Sequence, residues 1–390
     1  MSKNQMTLKA DFTLRYSYEV HFTDRLFSPK NPLIRQFFES RQKELKPKIL
    51  FMIDKGVTDH HPELVDRIKA YFRTVEHADL ISEILIYPGG EIVKNEPKHL
   101  ENMLQVIDRH GIDRHSYVAA IGGGAVLDAV GYAAAISHRG VRHIRIPTTV
   151  LSQNDSGIGV KNGVNYFSKK NYLGSFSPPQ AVWNDRHFLS TLSERDLRAG
   201  ISESVKVALI RDSAFFEWLE ENSRAMARFD EEIMTEQIRR GAELHLNHIT
   251  GSGDPFERGS ARPLDFGHWA AHKLEDLTGY TIRHGEAVAI GIALDSTYSH
   301  LKGYIPTQDL DRILTLFHNL GLDTYHEALA TDQFEALFSG LNEFREHLGG
   351  KLTITLLRAI GQGFEVHEID TDLMRQALIR LSKQTELHEN

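Results

Sequence analysis

Short apolar runs alternate with helical patterns along the first half of the chain. The runs cover residues 48–53, 80–87, 117–121 and 141–146, and the third is followed by a helical pattern over 125–135. Each run ends in an acidic residue, a proline or glycines, which stop a strand. Strands that alternate with helices are typical of a parallel sheet with crossover connections. The pattern predicts an α/β domain over residues 1–185.

The second half shows a different pattern, in which apolar positions recur at helical spacing over long stretches. These stretches are residues 212–228, 231–249, 267–276 and 285–302. They predict an all-helical domain over residues 186–390. Ligands of open parallel sheets bind where the strands end, so we expect the functional site in the cleft between the two domains.

Composition narrows the classes of function. The 390 residues carry a net charge of −8, which argues against a general nucleic-acid binder but allows a small phosphate pocket. The chain has no cysteine, so any metal ion must bind to His, Asp or Glu. It shows neither an apolar signal segment nor an apolar run long enough for a membrane span. We expect a soluble cytoplasmic protein with no membrane or nucleic-acid partner.

A glycine triplet at 122–124 follows the third apolar run and precedes a helical pattern. Glycine lets the backbone approach a pyrophosphate closely, and the N-terminus of the helix offers free N–H groups. The triplet does not match the dinucleotide fingerprint with glycines spaced one and two residues apart. A nucleotide site and a tight strand-to-helix turn both remain open on this motif.

Metal chemistry is indicated by histidines at helical spacing. His268 and His272 lie four residues apart, which places both rings on one helix face, and His284 follows where another helical pattern begins. Glu203 and Lys206 share a helix face three residues apart, as a catalytic pair or as a solvated ion pair. A carboxylate with two histidines is typical of a catalytic metal centre, although packed or surface histidines explain the spacing equally well.

A polar cluster lies near the end of the predicted α/β domain. Lys161, Lys169, Lys170 and Asn171 follow Asp155 along the chain, and Arg139 and Arg142 flank the start of the fourth apolar run. Phosphate binding and ordinary turn chemistry both account for the first group. Solvated strand ends account for the two arginines.

Taken in order, these motifs resemble the dehydroquinate synthase superfamily of sugar phosphate cyclases from about residue 50 to 370. The matching segments are Pro88-Gly-Gly-Glu-Ile-Val-Lys94, Gly122-Gly-Gly-Ala-Val-Leu-Asp128, Arg139-Gly, Ile146-Pro-Thr-Thr-Val-Leu-Ser-Gln-Asn-Asp155, Lys161, Lys170-Asn-Tyr-Leu-Gly174, Gly200-Ile-Ser-Glu-Ser-Val-Lys206, Asp265-Phe-Gly-His268 with His272, and His284-Gly-Glu-Ala-Val288. The resemblance implies a Rossmann-like parallel-sheet NAD domain followed by an all-helical metal-binding domain.

The resemblance also implies roles for individual residues. Metal ligands, with Zn²⁺ or Co²⁺ as the ion, would be Glu203, His268 and His284. The NAD site would be lined by Asp54, Glu91, Lys94, Gly123, Gly124, Asp128, Thr148, Thr149, Lys170 and Thr191. The sugar phosphate would be surrounded by Asp155, Lys161, Asn171, Lys206, Asp265 and His272. Arg139 would reach the phosphate bound by a neighbouring subunit, which implies a homodimer.

The family's reaction explains this set of residues. A ring hydroxyl is oxidised transiently, phosphate leaves by elimination, the hydride returns, and an intramolecular aldol step closes a carbocycle. NAD is regenerated in each turnover, so the net reaction is a phosphate lyase and cyclase. An anionic leaving group needs cations and donors, which Lys161, Asn171, Arg139 and His272 would supply.

Four departures from the synthase pattern concern the substrate. Asp265 replaces the family's asparagine, Ala261 with Arg262 beside it replaces an arginine, and Asn247 falls on or near a lysine. The segment from Glu343 to Gly350 also replaces a lysine pair. Losing cations and gaining an anion disfavours an acidic substrate. The pattern favours a sedoheptulose 7-phosphate cyclase, although those enzymes often lose the histidine retained here as His272. A separate branch, with the EboD-like proteins as one candidate, fits both features.

Three other functions remain open on the sequence. The chain could be an authentic 3-dehydroquinate synthase that acts on the carboxylated seven-carbon sugar phosphate. Glycerol-dehydrogenase-like enzymes share the architecture, NAD and a helical metal domain, but they lack the pattern around Lys161, Lys170 and Asn171. A non-catalytic sugar-phosphate binder is the third, and the intact set of metal ligands argues against it.

Overall fold

A computed structural model describes residues 7–42, 44–167, 169–251, 256, 263–347 and 350–388. The strands are β1 Glu19–Thr23, β2 Lys48–Asp54, β3 Asp79–Leu80, β4 Leu85–Tyr87, β5 Tyr117–Gly122, β6 Arg142–Pro147, β7 Lys161–Tyr166, β8 Lys169–Phe176, β9 Ala181–Asp185, β10 Ile354–Ala359 and β11 Gln362–Val366. The helices of the first half are α1 Leu33–Glu39, α2 Lys55–His60, α3 Leu64–Phe72, α4 Ile92–Asn95, α5 Pro97–Arg109 and α6 Gly124–Ile136.

Nine helices follow in the described part of the second half. They are α7 Glu194–Ala199, α8 Ile201–Arg211, α9 Ser213–Met226, α10 Glu231–Gly251, α11 His268–Leu277, α12 His284–Leu301, α13 Thr307–Leu320, α14 Glu335–His347 and α15 Thr371–His388. A π-helical turn at Ser152–Ser156 lies between the sheet and these helices. No helix in the described ranges combines the length and apolarity that a bilayer crossing requires.

A parallel sheet forms the core of the first half. Its strand order is β1-β9-β6-β5-β2-β3, and β4 also pairs with β2. Every residue of β5 is buried, as expected for a central strand with helices on both faces. The carboxyl ends of β2, β5 and β6 lie side by side, so Asp54, the glycine triplet and Thr148 meet at one edge of the sheet.

The four predicted strands are present, with the run over 80–87 divided into β3 and β4. The sequence analysis missed β1 and β9, and it missed the antiparallel hairpin of β7 and β8. Apolar and polar residues alternate only weakly along the hairpin, because β8 is half-exposed and contains two lysines, an asparagine and a glycine. This hairpin carries Lys161 and Asn171, so it is the main difference that concerns the site.

Helix α12 lies at the centre of the second half, where almost every residue from Gly285 to Ser299 is buried. A helix that is apolar on all sides belongs inside a domain rather than on its surface. The prediction of an all-helical second half needs one correction, because β10 and β11 form an antiparallel hairpin. Their apolar and β-branched residues suit a strand, and Ile354, Leu356 and Leu357 are buried in the helical core.

Candidate active site

Three helices of the second half bring one carboxylate and two imidazoles together. Ligand atoms of Glu203, His268 and His284 all lie within 4.8 Å of one another. The Nε2 atoms of His268 and His284 lie 3.6 Å and 3.5 Å from the same oxygen, Glu203 Oε1. Glu203 is buried on α8, His268 begins α11 and His284 begins α12. The structure therefore assembles the three residues that the sequence analysis named as metal ligands.

The second nitrogen of each imidazole has its own acceptor. His268 Nδ1 lies 3.1 Å from Phe266 O, and His284 Nδ1 lies 3.3 Å from Glu275 Oε2. A proton on Nδ1 satisfies these contacts, and Nε2 is then the ring nitrogen that faces Glu203. Metal-binding histidines are held in this way by carboxylates and carbonyls. The three residues therefore fit a divalent cation with nitrogen and oxygen ligands.

The charges around this cluster also favour a cation. Burial alone would raise the pKa of Glu203, but Lys206 and His284 outweigh it and lower the pKa to about 2. Burial lowers the pKa of His284, whereas Glu275 and Glu203 outweigh burial and raise it to about 10. The carboxylates thus stay ionised, and they stabilise positive charge at the point where the three ligand atoms meet.

We call Glu203, His268 and His284 the ligand cluster. Lys206 and Asp155 lie beside it. Lys206 Nζ contacts Glu203 Oε2 and lies 3.8 Å from Asp155 Oδ1. Burial raises the pKa of Asp155, but Lys206 and His245 outweigh it and keep the pKa below its usual value. His245 Nδ1 lies 2.7 Å from Asp155 Oδ1. The sequence analysis missed His245, because no motif links α10 to a residue of the π-helical turn 90 positions earlier.

His272 and Asp265 complete this part of the site. The His272 ring centroid lies 5.6 Å from that of His268 and 5.9 Å from that of His284. Asp265 closes a short 3₁₀ helix before α11, and its charge helps to raise the pKa of Lys206 against the opposing effect of burial. The predicted contribution of Ala261 and Arg262 lies outside the described residues.

The hairpin of β7 and β8 contacts the segment that follows β4. Lys94 Nζ lies 3.0 Å from Asp128 Oδ2 and also donates to Asn171 Oδ1. Asn165 Nδ2 donates to Glu91 Oε2 over 2.7 Å, and Asn165 Oδ1 accepts from the Asn171 backbone N–H over 2.8 Å. Four predicted site residues therefore form one polar network. Asn165, at its centre, was not predicted.

Lys161 and Asn171 lie on this hairpin and are both exposed. The loop before Lys161 is fixed from below by Arg145, a fully buried residue. Arg145 donates to Gly159 O over 2.8 Å and to Lys161 O over 2.6 Å. A guanidinium offers several donors in a fixed plane, so one side chain holds a whole loop in place. Arg145 thereby sets the position of Lys161 without being exposed itself.

The glycine triplet lies at the carboxyl edge of the sheet, where α6 begins after Gly123. The Asp54 carboxylate accepts from the Gly56 N–H over 2.8 Å, and a Cβ at Gly89 would lie only 2.5 Å from its Oδ1. Burial raises the pKa of Asp54 against the opposing effect of the backbone donors at Gly56 and Gly123. A Cβ at Gly124 would lie 2.7 Å from Ser156 Oγ. Side chains of the same chain therefore pack directly against Gly89 and Gly124, at the edge where α6 begins.

The remaining predicted cofactor residues are spread around this edge. Thr148 N–H donates to Gly122 O over 3.1 Å, and a Cβ at Gly123 would lie 3.5 Å from the Thr149 methyl group. Thr191 lies farther away and contacts His61 Nε2 over 2.9 Å. Lys170 Nζ lies 3.0 Å from Glu275 Oε2. The described contacts of Lys170 are therefore with Glu275 and with the Tyr280 ring, whose centroid lies 5.2 Å from Nζ.

Arg139 does not reach the other site residues within its own chain. It precedes β6, whereas Thr148 follows β6, and a six-residue strand spans about 20 Å. Arg139 is exposed on a tight turn in which His138, Arg139 and Gly140 all have positive φ, with values of 49°, 61° and 117°. Arg139 therefore lies at the amino end of β6, opposite the edge of the sheet that carries Thr148.

The sequence analysis missed Glu275, although its spacing from the two histidines of α11 could have revealed it. His268, His272 and Glu275 stand at positions i, i+4 and i+7 of α11, which lie on one helix face. Burial raises the pKa of Glu275, but His284 and Lys170 outweigh it and lower the pKa well below its usual value. Glu275 therefore carries a negative charge behind His284.

Fold and site together define an α/β sheet with a glycine-rich turn beside a buried carboxylate–histidine centre on helices. The sequence-family model of the 3-dehydroquinate synthase N-terminal domain matches residues 84–199. The family model of the C-terminal domain matches residues 200–342. A 3-dehydroquinate synthase from Jannaschia sp. is 34% identical over 337 residues, which cover 85% of this chain and 89% of that protein. The chain belongs to the 3-dehydroquinate synthase family.

Two solved structures extend the comparison. The 2-epi-5-epi-valiolone synthase from Streptomyces hygroscopicus subsp. jinggangensis, with NAD⁺ and Zn²⁺ bound, has a TM-score of 0.85 and 28% identity, and the match covers 97% of this chain and 100% of that chain. A 2-deoxy-scyllo-inosose synthase in complex with carbaglucose-6-phosphate, NAD⁺ and Co²⁺ has a TM-score of 0.73. At 23% identity, with 92% of this chain and 95% of that chain covered, the second match speaks to the fold alone.

Proposed function

We propose that this protein is a metal- and NAD-dependent sugar phosphate cyclase that eliminates phosphate from a seven-carbon ketose phosphate and closes a carbocycle. Sedoheptulose 7-phosphate is the favoured substrate. The observation that carries the proposal is the arrangement of Glu203, His268 and His284 with Lys206 and Asp155 beside them. A metal centre flanked by fixed charges of both signs suits a substrate that carries several hydroxyl groups and a phosphate.

We assign a separate group of residues to each cofactor. Glu203, His268 and His284 would hold the metal ion, and the residues at the carboxyl edge of the sheet would hold NAD. A bound metal ion polarises hydroxyl and carbonyl oxygens, and NAD accepts and returns a hydride. Lys94 would place its charge near the cofactor, because Asp128 and Asn171 fix its ammonium group.

The chain's own polar residues would bind and orient the sugar phosphate. Buried Lys206 and half-buried Asp155 would contact substrate hydroxyls, since each presents a fixed charge beside the metal ligands. Lys161 and Asn171, exposed on the hairpin, would bind the phosphate together with His272. Arg139 from the second subunit of a homodimer would complete the phosphate site. Cations and donors stabilise the negative charge that develops as phosphate leaves.

Asp265 supports a substrate without a carboxylate. Its charge acts on Lys206, so the lysine already has Asp155, Glu203 and Asp265 as neighbouring carboxylates. A carboxylated substrate would bring a further negative charge to the same region. Like charges repel, so this region favours a substrate without a carboxylate.

Authentic 3-dehydroquinate synthase is the second candidate, and His272 is the observation that favours it. The histidine lies in the imidazole cluster with His268 and His284. Sequence analysis indicated that sedoheptulose cyclases often lack this residue. The two candidates differ in one chemical property of the substrate, a carboxylate, and can be separated directly.

The test uses the full chain loaded with Zn²⁺ or Co²⁺ and NAD⁺. Sedoheptulose 7-phosphate and the carboxylated seven-carbon ketose phosphate are supplied separately, and released phosphate and carbocyclic product are followed. Product from the first substrate alone supports the proposal, whereas product from the second alone identifies a 3-dehydroquinate synthase. Stoichiometric accumulation of NADH would instead indicate a dehydrogenase. Bound metal without turnover of either substrate would favour a non-catalytic binder.

A further inference from the structure

We propose that His245 is a positioning residue that orients the Asp155 carboxylate toward the substrate. This inference rests on the proposed function, which places Asp155 against a substrate hydroxyl. His245 Nδ1 lies 2.7 Å from Asp155 Oδ1, a distance typical of a charge-assisted hydrogen bond. Both residues are largely shielded from water, with 11% and 21% of their side-chain surface exposed. The bond is therefore worth more than an exposed pair.

Two neighbours act on the same carboxylate oxygen. His245 Nδ1 approaches Asp155 Oδ1, and Lys206 Nζ lies 3.8 Å from that oxygen. Fixing one oxygen from two sides sets the torsion of the carboxylate, and with it the direction of the second oxygen. We assign the second oxygen, Oδ2, to the substrate hydroxyl. Lys206 alone would not fix this torsion, because the distance from its Nζ to Asp155 Oδ1 exceeds that of a hydrogen bond.

The imidazole of His245 is itself held by its surroundings. A Cβ at Gly159 would lie 3.2 Å from His245 Nε2, so the loop lies against this edge of the ring. That loop is fixed by Tyr18, whose hydroxyl donates to Ile158 O over 2.7 Å, and by Arg145, which donates to Gly159 O. The ring therefore has little freedom to turn away from Asp155.

Helix α10 holds His245 in register with the π-helical turn. Gln237, Gly241 and His245 are four residues apart and face the same way. Gln237 donates to Ser204 Oγ, and a Cβ at Gly241 would lie 2.5 Å from that oxygen and 3.2 Å from Asn154 Cβ. The close contacts of Gly241 with Ser204 and Asn154 fix the position of His245 along α10 relative to Asp155.

The structure also shows which α10 side chain meets the site. The sequence placed a lysine of the synthase pattern on or near Asn247, but Asn247 is exposed on the far side of α10. His245, two positions earlier, is the α10 residue that touches Asp155. The segment that would meet a substrate carboxylate in a synthase therefore serves here to fix an acidic residue of the site.

The experiment compares His245→Asn with His245→Leu. Asparagine can place a donor where Nδ1 stands, whereas leucine removes the donor at similar volume. His248→Asn is the matched control on the same helix, since His248 contacts Arg211 over 3.0 Å. Steady-state phosphate release from sedoheptulose 7-phosphate gives kcat and KM, and NAD⁺ titration gives the cofactor affinity. The tautomer of His245 is read separately from long-range ¹H–¹⁵N spectra, assigned by the signal that disappears in His245→Asn.

We expect His245→Leu to lose on the order of 10- to 100-fold in kcat/KM for the sugar phosphate, as a displaced site group does. His245→Asn should recover most of that loss, with NAD⁺ affinity within about twofold of wild type in both. Equal impairment of both variants, or wild-type kinetics for His245→Leu, would overturn the proposal. So would a proton on Nε2 alone, whereas a protonated Nδ1 supports it. An inactive wild type would refute the proposed function, while the tautomer would still decide whether His245 donates to Asp155.

Discussion

Lys170 Nζ lies 3.0 Å from Glu275 Oε2, and His284 Nδ1 lies 3.3 Å from the same oxygen. One carboxylate oxygen therefore connects a lysine of the β7–β8 hairpin to a proposed metal ligand. The hairpin also holds Lys94 through Asn171. Three groups of residues with separate proposed roles, for metal, NAD and phosphate, are thus joined by direct contacts.

Glu275→Gln should weaken metal binding by about 10- to 100-fold, the usual cost of losing a group that orients a histidine ligand. The amide cannot supply the negative charge that favours a cation next to His284. Equilibrium competition with a chelator measures the affinity. Glu343→Gln serves as a control, because Glu343 is exposed and pairs with Lys273 over 2.7 Å. Unchanged affinity in Glu275→Gln would show that His284 needs no orienting carboxylate.

Asp265→Asn should shift substrate preference toward the carboxylated ketose phosphate. Removing one negative charge near Lys206 should raise the ratio of the two kcat/KM values by about tenfold, which corresponds to about 1.4 kcal/mol. Competition between the two substrates, followed by carbocyclic product, gives the ratio directly. The control is Asp276→Asn, since Asp276 is exposed on α11. If the ratio of the two kcat/KM values changes equally in both variants, Asp265 does not determine the substrate preference.

Asp295 should make the stability of the fold depend on pH. Its carboxylate accepts from Trp269 Nε1 over 2.9 Å and from the Gly267 N–H over 3.1 Å, but burial outweighs both and raises the pKa from 3.8 to about 7. The folded state then binds more protons than the unfolded state between these values. The contribution to stability is complete below pH 4 and is lost as the pH rises through about 7.

Urea unfolding of wild type and Asp295→Asn at pH 5 and pH 8 tests this sign. The stability of the variant relative to wild type should be higher at pH 8, on the order of 1.4 kcal/mol for each pH unit crossed below the folded pKa. Asp372→Asn, on the exposed side of α15, should run parallel to wild type. A parallel result for Asp295→Asn would mean that the carboxylate is already ionised well below pH 7.

Arg139→Ala and Lys206→Ala should complement each other if Arg139 acts in the neighbouring subunit. Each variant alone should be almost inactive. After unfolding and refolding of an equal mixture, half of the dimers pair the two variants, and each mixed dimer has one complete site. About a quarter of the wild-type activity should return. No recovery, with mixed dimers confirmed by mass, would confine Arg139 to its own chain.

The sequence predicted the parts of the site that depend on local spacing. Glu203 with Lys206, and His268 with His272, share helix faces, and the structure places them as that spacing requires. The edge of the sheet followed from the rule that parallel strands present their carboxyl ends together. These predictions succeed because helix and strand periods fix the directions of nearby side chains.

Contacts between distant segments could not be predicted in this way. The bond between His245 and Asp155 depends on a π-helical turn, which leaves no periodic pattern, and on the packing of Gly241. Asn165 lies on the β7–β8 hairpin, and Arg145 contacts the loop before it. The sequence did not predict this hairpin, because apolar and polar residues alternate only weakly along it. The positions of Asn165 and Arg145 follow from tertiary packing, so only the folded chain shows them.

The register of α10 restricts how this region can vary in length. Gln237, Gly241 and His245 each make a contact that depends on facing the π-helical turn. One inserted or deleted residue between Gln237 and His245 would rotate one end of the helix by about 100° relative to the other. Related chains could thus exchange side chains along α10 while keeping its residue count over these two turns unchanged.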